Sequence, residues 1–433
     1  MRKGLTIASL VSLCAVPMLV PSQDASAIPA FARKYGTSCY TCHSGFPSRN
    51  AFGEAFKNNG YRWPGGEDED KSKQEQLKMG ADGWKKTFPK SPWPAEIPGY
   101  APVSLWVRGL VYDYSTDALN QAGKVTRVSA TNDGYGFTKW GNGVFNNSTI
   151  FFGGTMGDNL SALVQYNPTA GSTTGQLVWN FRPGLKIALG NGFTDLNFGN
   201  ATNNAANFVS TLVPAFGNGA GSNVAELVYI PKDHLKLTAG VGQAGNVATN
   251  SFSDLKYFRA KYKMGGAGLL SGAGGTYGNE FVGLDNQVTF AAMVYSAAPG
   301  TAVAPTAPGT YTSGAFATTN QAERLVWEAD ITGSHGSFLG GIGYSRSVNI
   351  KRNNIKAEAA YFLYPWMKGS ILYTGLNQQD APTLTYTLTT HVRANAYLTA
   401  AYTQNLRQWS ATADRAKTGS TQNTVQLTGG FAF

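Results

Sequence analysis

Cysteine is scarce in this sequence of 433 residues, which contains three cysteines and four histidines. With so few of these side chains, a zinc site with four ligands at their usual spacing is not visible. Charge is also scarce, because Asp, Glu, Lys and Arg together make up 14% of the residues. After the first 20 residues, no run of 18 or more apolar residues offers a membrane helix. If the chain crosses a membrane, it must therefore do so as a β-barrel.

The first 27 residues have the features of a secretory signal peptide. Arg2 and Lys3 precede an apolar run over 5–20, and Ala25-Ser26-Ala27 supplies an A-x-A cleavage site. Cys14 lies inside this leader, and Leu13 before it is not the small residue that a lipoprotein signal requires. We therefore expect an exported chain that begins at Ile28 and keeps two cysteines.

Those two cysteines belong to the stretch Cys39-Tyr40-Thr41-Cys42-His43, a C-x-x-C-H motif typical of c-type haem attachment. Thiols about one helical turn apart match the two vinyl groups of one haem, and the following histidine can reach the iron. A thioredoxin-like C-x-x-C is the alternative, but it needs a βαβ setting that the sequence does not show. We predict one covalent haem c bound by Cys39, Cys42 and His43.

The residues around the motif have a compact helical pattern. Pro29 suits the first turn of one helix, and Ser48 is a candidate N-cap for a second helix that ends near residue 59. Phe52, Ala55 and Phe56 share one face of that second helix. We expect this face to cover the haem, which in so small a domain is also ordinary core packing.

An acidic run and a proline-rich connector follow the helices. Glu67-Asp68-Glu69-Asp70 could attract Fe(II) or a cationic partner, or it is a solvated loop partly neutralised by Lys71 and Lys73. Four prolines between 88 and 99 indicate a stiff, extended connector. The sequence thus predicts a haem domain with its linker over 28–98 and a second domain over 99–433.

The second domain has the period of two that is typical of β-strands. For example, Leu185, Ile187 and Leu189 alternate with Lys186 and Ala188. Short turns alternate with long loops rich in Gly, Asn, Thr and Ala, as in outer-membrane barrels. Sixteen candidate strands lie over 102–114, 146–156, 160–167, 175–181, 185–191, 223–230, 234–244, 255–263, 286–297, 323–332, 337–347, 354–364, 367–376, 382–390, 393–404 and 424–433.

This pattern predicts a mainly β protein: a transmembrane antiparallel barrel of 16 strands with a small helical N-terminal haem domain. Eighteen strands is the alternative, because the glycine-rich stretch 264–285 could hold one further pair. A secreted two-sheet sandwich is another, although sandwiches do not need the asymmetry between turns and loops.

Two further features are typical of outer-membrane barrels. An aromatic cluster at one turn, formed by Tyr361, Phe362, Tyr364 and Trp366, resembles a girdle at the membrane surface. The terminal Phe433 resembles a barrel-assembly signal.

The sixth ligand of the haem iron is open at this stage. Met79 follows His43 by 36 residues in the same small domain, and a thioether ligand would raise the potential. His234, His335 or His391 could instead enter from the barrel wall.

The stretch from Ile28 to Tyr61 resembles the fused monohaem cytochrome and porin proteins of bacterial outer membranes. The residues that carry the resemblance are 28–36, the C-x-x-C-H motif, Phe46-Pro47, 50–57 and Gly60-Tyr61. The resemblance implies one haem in a small domain that plugs or caps a barrel. The best-known members of that family oxidise Fe(II) at the cell surface.

From these observations we expect an electron-transfer protein of the outer membrane, which carries electrons for Fe(II) oxidation or metal reduction. Its partners would be a periplasmic electron carrier, extracellular iron or another redox metal, outer-membrane lipid and the barrel-assembly machinery, with no nucleic acid. An iron(II)-cytochrome oxidoreductase activity is one form that this function could take. The alternatives are a solute porin with a structural or redox-gating haem plug, and a soluble periplasmic cytochrome with an appended β domain.

Overall fold

The computed structural model describes most of the predicted strands and the region around the C-x-x-C-H motif. Among the residues it describes, no helix is long and apolar enough to cross a membrane. The described residues are 30–45, 48–65, 76–78, 96–98, 102–115, 118–119, 125–126, 134–135, 148–168, 171–191, 193–195, 223–243, 251–252, 254–272, 277–297, 324–348, 352–376, 382–393, 395–406 and 423–432.

Sixteen long antiparallel strands in the described part of the chain close into one barrel. Strand β16 pairs with β1, with Gly430 opposite Arg108, and β1 pairs with β2, with Val103 opposite Phe152. The strands are β1 Val103–Ser115, β2 Thr149–Met156, β3 Leu160–Asn167, β4 Ser172–Arg182, β5 Leu185–Asn191, β6 Val224–Lys232, β7 Leu235–Gly242, β8 Leu255–Gly265, β9 Gln287–Ala297, β10 Arg324–His335, β11 Phe338–Ser347, β12 Arg352–Tyr364, β13 Met367–Leu376, β14 Thr383–Arg393, β15 Ala396–Asn405 and β16 Thr424–Ala432.

The two faces of the barrel wall have opposite chemistry. On β6, Leu227 and Tyr229 are exposed on the outside, while Glu226 is buried inside. On β10, Trp327 and Ile331 likewise point outward. The carboxylates of Glu328 and Asp330, which lie between them in the strand, are buried inside. An apolar exterior around a polar interior suits hydrocarbon, and closure leaves no unpaired strand edge. The barrel therefore spans a membrane, and its architecture places it in the bacterial outer membrane.

The two ends of the barrel differ as predicted. Tight turns join strands at one end, for example at 157–159, 183–184 and 336–337, and most connectors at the other end are longer. The barrel domain also begins and ends at the tight-turn end, since β1 starts there and β16 finishes there. In outer-membrane barrels this end faces the periplasm.

The glycine-rich stretch does not add a pair of barrel strands, so the alternative of eighteen is wrong for the described residues. Instead, the described residues 266–272 and 277–286, here called the inner connector, include a small hairpin from Tyr277–Asn279 and Leu284–Asp285 around a 3₁₀ turn. Val282 and Leu284 are fully buried against the wall residues of β11 and β12. Phe362 belongs to this buried cluster, so it is not part of the aromatic girdle at that turn.

The N-terminal region is helical, with one correction to the prediction. Helix α1 is Ala30–Tyr35 and helix α2 is Ala51–Asn58. Asn50, not Ser48, caps α2, because its Oδ1 accepts a hydrogen bond from the Gly53 amide at 2.9 Å. Ser48 instead lies in a short strand that pairs with His43–Gly45.

Candidate functional site

The two motif cysteines lie on one tight turn. Cys39 begins the 3₁₀ turn Cys39–Thr41, and the amide of Cys42 donates to the carbonyl of Cys39 at 3.2 Å. Ser38 caps this turn, because its Oγ accepts from the amide of Tyr40 at 3.3 Å. The two cysteines therefore lie on neighbouring positions of one turn, as attachment to one haem requires.

The ring of His43 is oriented by a backbone group. Its Nδ1 lies 3.2 Å from the carbonyl oxygen of Ser48. A carbonyl only accepts, so this bond places the proton on Nδ1 and the ligating lone pair on Nε2. The second strand of the small hairpin therefore supplies the outer partner that haem-binding histidines need.

Helix α2 is packed directly onto the motif. Asn50 Nδ2 donates to the carbonyl oxygens of Tyr40 at 2.9 Å and Thr41 at 3.2 Å. The backbone amide of Asn50 donates to the carbonyl oxygen of Cys42 at 3.0 Å. Gly53 lies so close to the Cys42 carbonyl that a Cβ would collide with it. The asparagine and the glycine together fix the cysteine turn to the start of the helix.

Aromatic rings fill the rest of this small domain. The ring centroids of Phe31 and Phe56 are 5.2 Å apart, those of Tyr35 and Trp63 are 5.2 Å apart, and those of Phe52 and Trp63 are 4.9 Å apart. The cluster packs on Val178 and Ala188 of the barrel wall. It provides apolar cover of the kind a haem needs, and it is equally the core of the domain.

Burial makes the two thiols poor candidates for thiol exchange. It raises the pKa of Cys39 above its ordinary value and raises the pKa of Cys42 to about 12. A redox-active C-x-x-C needs a thiolate and hence a lowered pKa. The thiol pair, the oriented imidazole and the apolar cover fit a c-type haem better than the thioredoxin-like alternative.

Residues 30–45 and 48–65, here called the plug, lie inside the barrel lumen. Three lysines of the wall contact α2, one at its first turn and two at its C-terminal end. Lys261 of β8 forms an ion pair with the Glu54 carboxylate. Lys186 Nζ lies 2.7 Å from the carbonyl oxygen of Lys57, and Lys236 Nζ lies 3.0 Å from Asn58 Oδ1. Cations at a helix C-terminus also interact favourably with the helix dipole.

Further contacts place the plug at the periplasmic end. Lys34 Nζ donates to Thr155 Oγ1 at 2.9 Å, near the end of β2. The Arg62 guanidinium donates to the carbonyl oxygens of Gly157, in the tight turn 157–159, and of Leu160, directly after it. The plug is therefore attached where strands meet in short, rigid turns.

The inner connector completes the enclosure of α2. Asn58 Nδ2 donates to the Leu269 carbonyl at 2.9 Å, and Asn59 Nδ2 donates to the Leu270 carbonyl at 2.6 Å. The connector is itself held by an ion pair of 2.6 Å between Lys263 and Asp285. Its glycine-rich sequence allows this approach, since a Cβ on Gly272 would meet α2 at 3.0 Å.

The charges of the plug are matched to those around it. Burial alone would raise the pKa of Glu54, but the charges of Lys261 and Lys263 outweigh it and lower the pKa below its ordinary value. Burial lowers the pKa of Lys57 to about 8, although Asp195 opposes this effect. Asp195 follows β5 and reaches Lys57 at 3.6 Å and Lys236 at 2.7 Å.

The structure separates the candidates for the sixth ligand. His234 and His335 are exposed at the ends of strands, whereas His391 is buried against the plug. Met79 and the acidic run 67–70 lie outside the described residues. In the described part of the chain, no group of three or more His, Cys, Asp or Glu side chains could hold a metal ion.

Sequence reasoning did not find the wall residues that hold the plug. Lys186 and Lys236 lie on the polar face of the alternating pattern, which indicates that they face the lumen. A positive charge on that face was the available signal for a contact inside the barrel. The glycine-rich stretch 264–285 left open one further pair of strands, because its glycines carry little pattern. Neither feature could be assigned to the plug without its three-dimensional position.

No protein-family model matches the chain, and no curated protein matches it. Among solved structures, OmpT, an outer membrane protein of Vibrio cholerae, is similar with 14% identity and a TM-score of 0.42, over 76% of this chain and 97% of OmpT. A triple mutant of the Rhodopseudomonas blastica porin is similar with 8% identity and a TM-score of 0.41, over 76% of this chain and 98% of the porin chain. The barrel is defined by the pairing of the strands in this chain and not by these similarities.

Proposed function

We propose that this protein carries electrons across the outer membrane through a single haem c bound in the plug. The haem would be attached to Cys39 and Cys42, with His43 as one axial ligand. In this proposal the chain is a fusion of a monohaem cytochrome with a porin-like barrel, and it serves extracellular electron transfer such as Fe(II) oxidation or metal reduction.

One observation carries the proposal: the segment with the haem motif is bound inside a membrane-spanning barrel. Lys186, Lys236 and Lys261 come from three different strands and all contact α2. A periplasmic cytochrome that merely preceded a barrel in the chain would not need these contacts. A redox centre fixed in the lumen has a use there, because the hydrocarbon core of about 30 Å excludes metal ions and soluble carriers.

The chain's own residues support this chemistry in distinct ways. When bound, the haem would supply one-electron transfer at its iron. The Ser48 carbonyl orients His43, and the aromatic cluster supplies apolar surface in the same small domain. The plug lies at the periplasmic end, where a carrier protein could approach it.

The lumen beyond the plug is charged. Arg259 forms ion pairs of 2.9 Å with both Glu328 and Asp330, in the middle of β8 and β10. Such a surface is compatible with a hydrated ion or a small redox compound that enters from outside. Iron or another redox metal is the class of extracellular partner that we propose.

Liposomes test the proposal directly. Purified protein is inserted into vesicles that contain a redox dye, and Fe(II) or a reducible metal is added outside. We expect electron exchange across the membrane by the wild-type protein. The matched control is the Cys39→Ala, Cys42→Ala double variant, which lacks both attachment sites and should retain the barrel.

Equal exchange by the double variant, at equal barrel content, would mean that redox compounds leak through the pore. In that case a solute porin with a structural or redox-gating plug would replace the proposal. Haem that survives denaturation on the double variant would show that the attachment site is assigned incorrectly.

A further inference from the structure

One histidine of the barrel wall faces the plug. His391 in β14 is 6% exposed, whereas the next residue, Val392, is 41% exposed on the outside. The alternation of the strand thus directs His391 into the lumen. The other two wall histidines, His234 and His335, are exposed.

The ring of His391 lies against the short strand His43–Gly45, which begins at the histidine of the haem motif. It contacts Gly45, the second residue after His43. A Cβ added at Gly45 would lie 2.6 Å from Cε1 and 2.9 Å from Nε2 of His391. Nδ1 would lie 3.3 Å away, so the ring edge at Cε1, with both ring nitrogens beside it, faces the strand His43–Gly45. A side chain at residue 45 would displace the ring.

The position of His391 is set by rigid structure. Its amide donates to the carbonyl oxygen of Trp366 at 2.7 Å, and its ring lies beside Tyr397 with centroids 6.0 Å apart. It lies two residues before Arg393, the last residue of β14. A ligand on such an element is preorganised and needs no loop to close.

The buried methionine of the described wall is a poorer candidate. Met293 points into the lumen, but it is six residues beyond Gln287, which begins β9 at the periplasmic end. At about 3.3 Å per residue, it lies roughly 20 Å along the strand from that end. The plug contacts described above are concentrated at the periplasmic end.

We propose that His391 is the second axial ligand of the haem iron, so that the barrel wall completes the haem site. This inference rests on the proposed haem function. The plug would then supply the covalent attachment and one imidazole, and β14 would supply the other imidazole. Two imidazole ligands give the haem a lower reduction potential than one imidazole and one thioether. The proposal therefore predicts a low reduction potential and a spectrum without a thioether signature.

The test compares His391→Ala and His391→Met with the wild type, using His234→Ala and His335→Ala as matched controls. The readouts are the spin state of the ferric haem by electron paramagnetic resonance, carbon monoxide binding by the reduced haem, and the midpoint potential. Heat-modifiable migration on gels checks that each barrel is folded.

We expect a low-spin wild type that binds carbon monoxide slowly or not at all, and a high-spin His391→Ala variant that binds it readily. His391→Met should remain low-spin with a thioether signature and a raised potential, which tests the site even if the alanine variant folds poorly. The two control variants should have wild-type spectra.

A folded His391→Ala variant with the wild-type spin state and potential would overturn the inference, and loss of the ligand signature in Met79→Ala would then identify the ligand. A wild-type protein that carries no covalent haem on denaturing gels would instead overturn the proposed function. The two failures are therefore distinguishable.

Discussion

At the scale of single residues, the ion pair between Glu54 and Lys261 connects the plug to the wall in a buried setting. Removing one partner of a buried pair leaves an uncompensated charge, which costs about 3 to 5 kcal/mol. We expect Lys261→Met to destabilise the seated plug by this amount. The measurement is the denaturant dependence of protease cleavage within the plug.

Two variants control this prediction. Lys256→Met changes an exposed lysine of the same strand and should have no effect. Adding Glu54→Gln to Lys261→Met should restore part of the lost stability, because the buried charge is then gone. A double variant as unstable as Lys261→Met alone would show that the lysine acts through packing.

The same carboxylate predicts a dependence on pH. The folded protein lowers the pKa of Glu54 below its ordinary value of 4.5. Its stabilising contribution is therefore complete above about pH 4.5 and is lost as the pH falls through the lower pKa of the folded state. Protease protection of the plug should fall in acid, and Glu54→Gln should remove this component of the acid transition.

At the scale of elements, helix α2 depends on Asn50 for both its start and its contact with the cysteine turn. Loss of an N-cap costs about 1 kcal/mol, and the two bonds to the Tyr40 and Thr41 carbonyls add about 1 kcal/mol each. We expect Asn50→Ala to lower the thermal midpoint and the fraction of chains with covalent haem. Haem stain normalised to barrel content measures the second effect.

Asn50→Asp separates the two roles of this side chain. Aspartate keeps the acceptor for the Gly53 amide but lacks the donor to Tyr40 and Thr41. We expect an intermediate loss of haem. Wild-type haem content in Asn50→Ala would contradict the idea that the cap orders the attachment turn.

At the scale of the whole molecule, the plug and the inner connector occupy the periplasmic end of the lumen. Wild-type barrels in planar bilayers should therefore have a lower ion conductance than an unplugged barrel of this size. Replacing Lys186, Lys236 and Lys261 together with methionine should raise the conductance or make it fluctuate, because α2 loses three contacts with the wall.

The control for this experiment is Lys232→Met, which changes an exposed lysine at the end of β6. It should leave the conductance unchanged. If the triple variant also keeps the wild-type conductance, the three lysines do not hold the plug in place, and the inner connector and aromatic packing must suffice.

The sequence by itself determined the barrel. Apolar and polar residues alternate with a period of two over many of the strands, and a strand in hydrocarbon must present apolar side chains outward and pair all its backbone groups. All sixteen strands were therefore predicted, with ends that differ by a few residues. The C-x-x-C-H motif likewise predicts a covalent haem from local spacing alone, and that haem stays a prediction.

Only the tertiary structure decided how the plug and the wall meet. Lys186, Lys236 and His391 come from strands far apart in the chain, and alternation indicates which face they occupy but not what they contact. The inner connector is similar, since its glycines permit many backbone paths and only packing against α2 selects one. Contacts between distant segments depend on three-dimensional closure, which no local pattern in the sequence encodes.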